Sequence, residues 1–262
     1  MFRLKKSLGQ NFLVDRNIIN KILSLETLKD QNILEIGPGS GNLTKLIVQK
    51  KISKLLAIEK DKRFSDLLRK EYTNNQNFII ENIDILKKDL NKISLKNVIV
   101  FGNLPYNIST QILVNFINLS RWPPFYKKII FMFQKEVADR ILAKSETKQY
   151  GRLTILTRYR LDIIESFKIS KNCFFPIPAV DSKIIVFKPK LNNKYKIKNI
   201  KNLEYITNIF FGGKRKMINK PFAKIFNDYQ FVANKLKINL NLRPSDLSLD
   251  QYYKLTEYYE NF

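Results

Sequence analysis

Through the first two-thirds of the chain, short β-branched apolar runs alternate with amphipathic stretches. Ile18, Ile19, Ile22 and Leu23 recur at helical spacing and predict a first helix. Strand-like runs follow at 33–36, 55–58, 78–80, 98–101 and 129–133, with helical patterns such as 43–49 and 63–71 between them. That alternation predicts an α/β, Rossmann-like parallel sheet wound on both faces. Segments 162–169 and 183–188 read as a pair of antiparallel strands closing one sheet edge. The stretch 191–198 is polar and basic and reads as a linker, beyond which only helical periods occur (Leu203, Ile206, Ile209, Phe210). The pattern divides the chain into an α/β domain, residues 1–190, and a small all-α domain, residues 191–262.

Composition narrows the classes. Of 262 residues, 44% are hydrophobic, enough for a globular core and too many for disorder. The single cysteine, Cys173, excludes an internal disulfide, and the absence of histidine removes His-based triads and His metal sites. A metal-free protein of a reducing, cytoplasmic compartment is expected. The basic start, residues 1–6, leads into no signal peptide, because Asp15 and Arg16 interrupt the apolar stretch. No apolar run reaches the length of a membrane span. Lys and Arg number 47 against 23 acids, a net charge of +24, which favours a polyanionic partner such as RNA. A Lys- and Asn-rich composition throughout leaves some of those lysines incidental.

The most informative segment is Gly102-Asn103-Leu104-Pro105-Tyr106, directly after the apolar run 97–101. Ligands of open α/β sheets bind at the carboxyl ends of the strands. An amide acceptor, a proline-fixed turn and an aromatic ring at such an edge suit a flat base bearing an exocyclic amine. An ordinary strand-to-turn junction fits the tetrapeptide equally well when it is taken alone.

Neighbouring strands shift that balance. Segment 33–43 reads strand, glycine-rich turn, helix start, with Gly37, Gly39 and Gly41 spaced Gly-x-Gly-x-Gly. The dinucleotide spacing Gly-x-Gly-x-x-Gly is not met. Eighteen residues past Gly41, the second strand ends at Glu59, a carboxylate able to accept both ribose hydroxyls. A solvated acid fits Glu59 equally when it is read singly. The third strand leads to Asp84, an acceptor for the exocyclic amine of adenine. Glycine loop, ribose acid and adenine acid on successive strands fit S-adenosylmethionine better than NAD, and Asn103 on the fourth would stand beside the sulfonium methyl.

Together these residues resemble the small-subunit rRNA adenine dimethyltransferases, with a class I S-adenosylmethionine-dependent methyltransferase sheet. The likeness runs from Ser7-Leu8-Gly9-Gln10-Asn11-Phe12-Leu13 through Glu35–Gly39 and Phe101–Thr110. It continues in Gln134–Val137, Tyr150–Leu153, Phe174-Phe175-Pro176-Ile177-Pro178-Ala179-Val180-Asp181-Ser182 and Phe211–Lys216. The resemblance implies N6,N6-dimethylation of two adjacent adenosines near the 3′ end of small-subunit (16S) rRNA, on an assembly intermediate of the subunit. It implies cofactor contacts from Asn11, Leu13, Gly37, Glu59, Asp84 and Asn103. Two positions depart from the family: Ala179 stands where a lysine is usual, and Lys214 where arginine is common.

On this reading the Asn103 side-chain oxygen and the Leu104 carbonyl hold the two N–H groups of the adenine amine, aiming its lone pair at the methyl carbon. Pro105 keeps Leu104 out of helical geometry, Tyr106 stacks on the base, and Phe174 is the candidate for its opposite face. No general base is needed. Lys214, Arg215 and Lys216, with Lys220 and the basic start, are candidates for RNA contact, and a monomer is expected. Three other readings remain open: a large-subunit rRNA adenine methyltransferase of the antibiotic-resistance type, a non-catalytic rRNA-binding assembly factor, and, most distantly, an NAD-linked oxidoreductase.

Overall fold

A computed structural model describes residues 10–262. The basic start and the Ser7–Gly9 part of the first motif lie outside the described residues. The first elements among the described residues are a two-residue strand, β1 (Phe12–Leu13), and α1 (Arg16–Leu23), whose N-cap Asp15 accepts from the Asn17 and Ile18 amides. There follow β2 (Asn32–Ile36), α2 (Asn42–Val48), β3 (Lys54–Ile58), α3 (Lys62–Glu71) and β4 (Phe78–Glu81). Next come β5 (Val98–Asn103), α4 (Ser109–Ile117), β6 (Tyr126–Gln134), α5 (Lys135–Leu142) and α6 (Arg152–Arg160). The sheet elements end with β7 (Leu161–Ile169), β8 (Phe174–Phe175) and β9 (Ser182–Pro189). Four helices complete the chain: α7 (Ile200–Phe211), α8 (Asn219–Ile225), α9 (Tyr229–Leu236) and α10 (Leu249–Asn261).

The main sheet has seven strands in the order β4-β3-β2-β5-β6-β9-β7. The five strands from β4 to β6 are parallel, in the register Ile33↔Leu55, Ile33↔Ile99 and Ile99↔Lys128. β9 runs antiparallel to β6. All five expected parallel strands form; the four inner ones are buried on both faces, as covered parallel strands require, whereas the edge strand β4 leaves Ile79 exposed. Order reverses between β2 and β5, so their carboxyl ends open a crevice at the switch point. A separate two-stranded ribbon pairs β1 with β8, Phe12 opposite Phe175 and Leu13 opposite Phe174.

The chain divides into two compact units: residues up to Ala138 with Ile163–Pro189, and Asp139–Asp162 with Lys190–Phe262. The expected boundary near residue 190 is therefore one of three crossings, and the helical unit takes residues 139–162 from the segment expected to be α/β. The reason is α6, where six of nine residues are buried and no polar face exists. Such a helix needs cover all round, and its partners come from later in the chain. Tyr253 donates to the Ile155 carbonyl (3.0 Å), and the Tyr159 hydroxyl donates to Tyr195 and accepts from the Ile197 amide. The expected linker is thus pinned. Glu257 accepts from the Lys196 amide, and Glu260 from the amides of Lys198 and Asn199. Phe210, Phe222 and Tyr252 form the aromatic centre of this unit, with ring centroids 5.5 and 5.6 Å apart.

Candidate active site

In the α/β unit, the carboxyl ends of β2, β3 and β5 and the turn after β4 surround a cleft of about 910 Å³, open to solvent. Asn11, Gly37, Glu59, Asp84, Asn103, Leu104 and Tyr106, all expected from sequence, line it together. Three of these acids and amides already have partners that fix their direction.

Glu59 is 7% exposed; one carboxylate oxygen accepts from the Gly39 amide (3.0 Å) and the other from Asp61 (2.7 Å). Burial pushes its carboxyl above the usual range, and the backbone amides pull it partly back. The acid therefore shapes the glycine loop. Asp84 is also drawn up by burial, but the Lys60 ammonium at 2.8 Å and the Leu86 amide outweigh that and hold its carboxyl low. It stays ionised, an acceptor at the rim. Asp61, N-cap of α3, is held at about 2, chiefly by the Arg63 guanidinium.

Asn103 ends β5, and its amide nitrogen donates to the Asn11 carbonyl at 2.9 Å. That bond decides which end of the amide is nitrogen and leaves the side-chain oxygen as an acceptor. The Tyr106 hydroxyl shares a 2.8 Å bond with buried Ser182, which pins the ring. Burial raises the Tyr106 phenol, and Ser182 partly offsets this.

The N-terminal segment crosses this cleft as a strap. Gln10 donates to Asp61 (3.0 Å), Asn103 holds the Asn11 carbonyl, and Asn42 holds the Leu13 carbonyl (2.9 Å). The Phe12 ring lies against Gly39 and meets Phe64 edge-on at 5.3 Å. Gly39, at φ +54°, has no room for a side chain: a Cβ there would lie 2.8 Å from Phe12 Cδ1. Gly37, at φ +67°, is the opposite case, since a Cβ would meet no protein atom within 4 Å.

Three expected residues do not line this cleft. Leu13 is 6% exposed, packs in the core cluster, and joins Phe12, Gly37, Asn42 and Asn103 around a second cavity. Only its carbonyl is used, by Asn42. Phe174 is likewise not brought to the cleft; it is 2% exposed within the core cluster, and its strand neighbour Phe175 faces outward. In the helical unit, the Lys214 ammonium is committed to the carbonyls of Lys148 (2.6 Å) and Tyr150 (2.8 Å), and burial lowers its pKa. Arg215, Lys216 and Lys220 are exposed. Sequence reasoning gave no role to Gln10, Asn42 or Ser182, although each sits within or beside a motif it singled out. Among the described residues no cluster of three His, Cys, Asp or Glu could hold a metal ion, and no helix is long and apolar enough to cross a membrane.

The family model for ribosomal RNA adenine dimethylase matches residues 1–261. The chain belongs to that family. Among similar proteins, ribosomal RNA small subunit methyltransferase A of Pelagibacter ubique is 46% identical over 259 residues, covering 99% of this chain and 98% of the relative. The protein of the same name from Mycoplasmopsis synoviae is 38% identical, covering 97% and 96%. Solved structures share the fold. A dimethyladenosine transferase from Plasmodium falciparum superposes with a TM-score of 0.74 at 24% identity, over 95% of this chain and 96% of that one. The 23S rRNA methyltransferase ErmE gives 0.68 at 22%, over 95% and 99%. This family member is accordingly an S-adenosylmethionine-dependent rRNA adenine dimethyltransferase. Its cleft fits that cofactor: two acids stand at the ends of neighbouring strands, and at Gly37 the backbone is bare towards the cleft.

Proposed function

We propose that this enzyme dimethylates N6 of two adjacent adenosines near the 3′ end of small-subunit (16S) rRNA, acting as a cytoplasmic monomer on a subunit assembly intermediate, without a metal. Glu59 would hold the ribose of S-adenosylmethionine, Asp84 its adenine, and Gly37, Asn11 and Asn103 its methionyl part. When bound, the cofactor supplies an electrophilic methyl group. The chain's own residues do the rest.

Adenine N6 is a weak nucleophile because its lone pair is delocalised into the ring. Two acceptors, the Asn103 side-chain oxygen and the Leu104 carbonyl, would each take one N–H and favour a pyramidal nitrogen. Tyr106, its hydroxyl tied to Ser182, offers a face for the base, a contact worth roughly 1–3 kcal/mol. Alignment and fixed dipoles then supply the acceleration, and the proton released from N6 passes to water. The observation that carries this reading is the Asn103 amide, turned by the Asn11 carbonyl so that its oxygen is free to accept.

The test incubates the enzyme with labelled S-adenosylmethionine and small subunits lacking the modification, with large-subunit RNA alongside, and maps the label in digested RNA. Dimethyladenosine at two adjacent small-subunit positions is expected. Label confined to large-subunit RNA, or none in either, overturns the proposal. Asn103→Ala is expected to retain cofactor binding and lose at least about tenfold in single-turnover rate, in line with the loss of one positioned polar group.

A further inference from the structure

Between β8 and β9 lies a segment whose exposed side chains the proposed chemistry does not use. Phe175, Ile177 and Val180 are 53%, 61% and 43% exposed, and Ala179 is exposed between them. From Phe174 to Val180 there is no charged or hydrogen-bonding side chain. Ala179 adds no charge to this exposed stretch.

The segment is held firmly at its base. Pro178 is buried, and Pro176 and Pro178 each fix a φ angle. Asp181 accepts from the Lys171 amide (3.0 Å), pairs with Lys168 (2.9 Å), and its carbonyl accepts from Lys135 (2.9 Å). Both ends are continuous with the cleft. Phe175 pairs in register with Phe12, which lines it, and Ser182 holds the Tyr106 hydroxyl. A rigid apolar tip, flanked by Lys168 and Lys171, thus stands beside the entrance for the target base.

We propose that the 175–180 tip is a wedge that packs against the unstacked rRNA bases beside an adenosine drawn into the cleft. The inference rests on the assignment of Asn103, Leu104 and Tyr106 to that adenosine. Extracting a base breaks its stacking on both neighbours, and apolar side chains inserted at such steps cover the faces left behind. Flanking lysines would draw in the phosphate backbone while the uncharged tip meets base faces. The tip then contributes to base extrusion without contributing to counterion release.

The proposal is tested with Ile177→Ser and Val180→Ser, both at exposed positions, and with Ala179→Lys, using the full chain and unmodified small subunits. Ile177→Ser is expected to lower kcat/KM on subunits about tenfold, within the span seen for lost base contacts, with cofactor Kd unchanged. Its affinity for protein-free small-subunit rRNA should fall as well, and its slope of log affinity against log salt should match the wild type. Ala179→Lys should steepen that slope by about 0.7–0.9, one added phosphate contact. A kcat/KM within twofold of wild type for both serine variants overturns the wedge, as does an unchanged salt slope for Ala179→Lys. A loss on subunits but not on protein-free rRNA means that the tip meets a ribosomal protein, and also overturns it. Asn103→Ala in the same assay separates the two readings: wild-type turnover there removes the site assignment, whereas a dead Asn103→Ala beside unaffected tip variants removes only the wedge.

Discussion

Glu35, the penultimate residue of β2, is 2% exposed, and its carboxylate accepts from the Thr44 hydroxyl at 2.8 Å. Burial pushes its pKa up to about 8; Thr44 opposes the shift and the Glu59 charge adds to it. In the unfolded chain the same group titrates near 4.5. Between these values the folded state binds a proton that the unfolded state has lost, so stability falls as pH rises through this window. From 4.5 to about 8 the shift spans about 3.5 units, which at about 1.4 kcal/mol per unit bounds the effect at about 5 kcal/mol. Glu35→Gln reproduces the shape of the protonated acid, keeps an acceptor for Thr44, and does not titrate. Its stability advantage over the wild type should therefore be small near pH 5, grow with pH, and level off above about 8. With hydration of the ionised form trimming the bound, about 2–4 kcal/mol is expected between pH 5 and 8. Urea unfolding at fixed ionic strength measures it, followed by the fluorescence of Trp122, the single tryptophan, which lies in the α/β unit. Comparing variant with wild type cancels the charge-driven pH dependence of the other groups. Parallel stability curves across pH 5–8 would refute the buried, proton-holding carboxyl.

The remaining predictions use contrasts of the same kind. Gly39→Ala should destabilise the α/β unit by about 2–4 kcal/mol, since it adds a steric clash with Phe12 to the left-handed backbone penalty. Gly37→Ala should cost only about 1 kcal/mol, yet lose cofactor affinity in a titration because its methyl projects where no protein atom lies. Equal melting losses for the two variants would contradict this. In the helical unit, Lys214→Met should lower stability by about 1–3 kcal/mol, having removed donors to two carbonyls, while leaving the salt slope of RNA binding near wild type. Arg215→Ala should do the reverse, with unchanged melting and a slope shallower by about 0.7–0.9.

Lys214 and Arg215 also show where sequence reasoning stops. Both stand in one basic run, Lys214-Arg215-Lys216, and charge alone makes them equivalent. What separates them is a pair of carbonyl acceptors 64 and 66 residues upstream, which only the fold brings near. The four inner parallel strands were legible because burial on both faces writes an unbroken apolar run, and the residues at the carboxyl ends of the sheet followed from the ligand-binding edge that such a sheet possesses. Glu59, Asp84 and Asn103 were therefore found together. β1 and β8 were not, since two residues carry no periodicity. Without β8 there was no means of telling which of Phe174 and Phe175 faces the core, and Phe174, placed against the base from the motif, is the one inside.

The 191–198 segment makes the same point from the polar side. Its composition is that of a linker, but Glu257 and Glu260 on α10 take up its amides. Hydrophobic pattern reports what must be buried; it does not report which polar group a distant carboxylate or carbonyl will claim. For this enzyme that second kind of information decides the site. The Asn103 side-chain oxygen is left as an acceptor, the role the proposed chemistry needs, only because the Asn11 carbonyl, 92 residues earlier, takes its nitrogen. The strap is held in turn by Asn42 and Asp61, whose own neighbours are the glycine loop and Glu59. The proposed cofactor cradle and the proposed methyl-acceptor site are thus joined by one connected set of hydrogen bonds, and a change that loosens the strap should disturb both together.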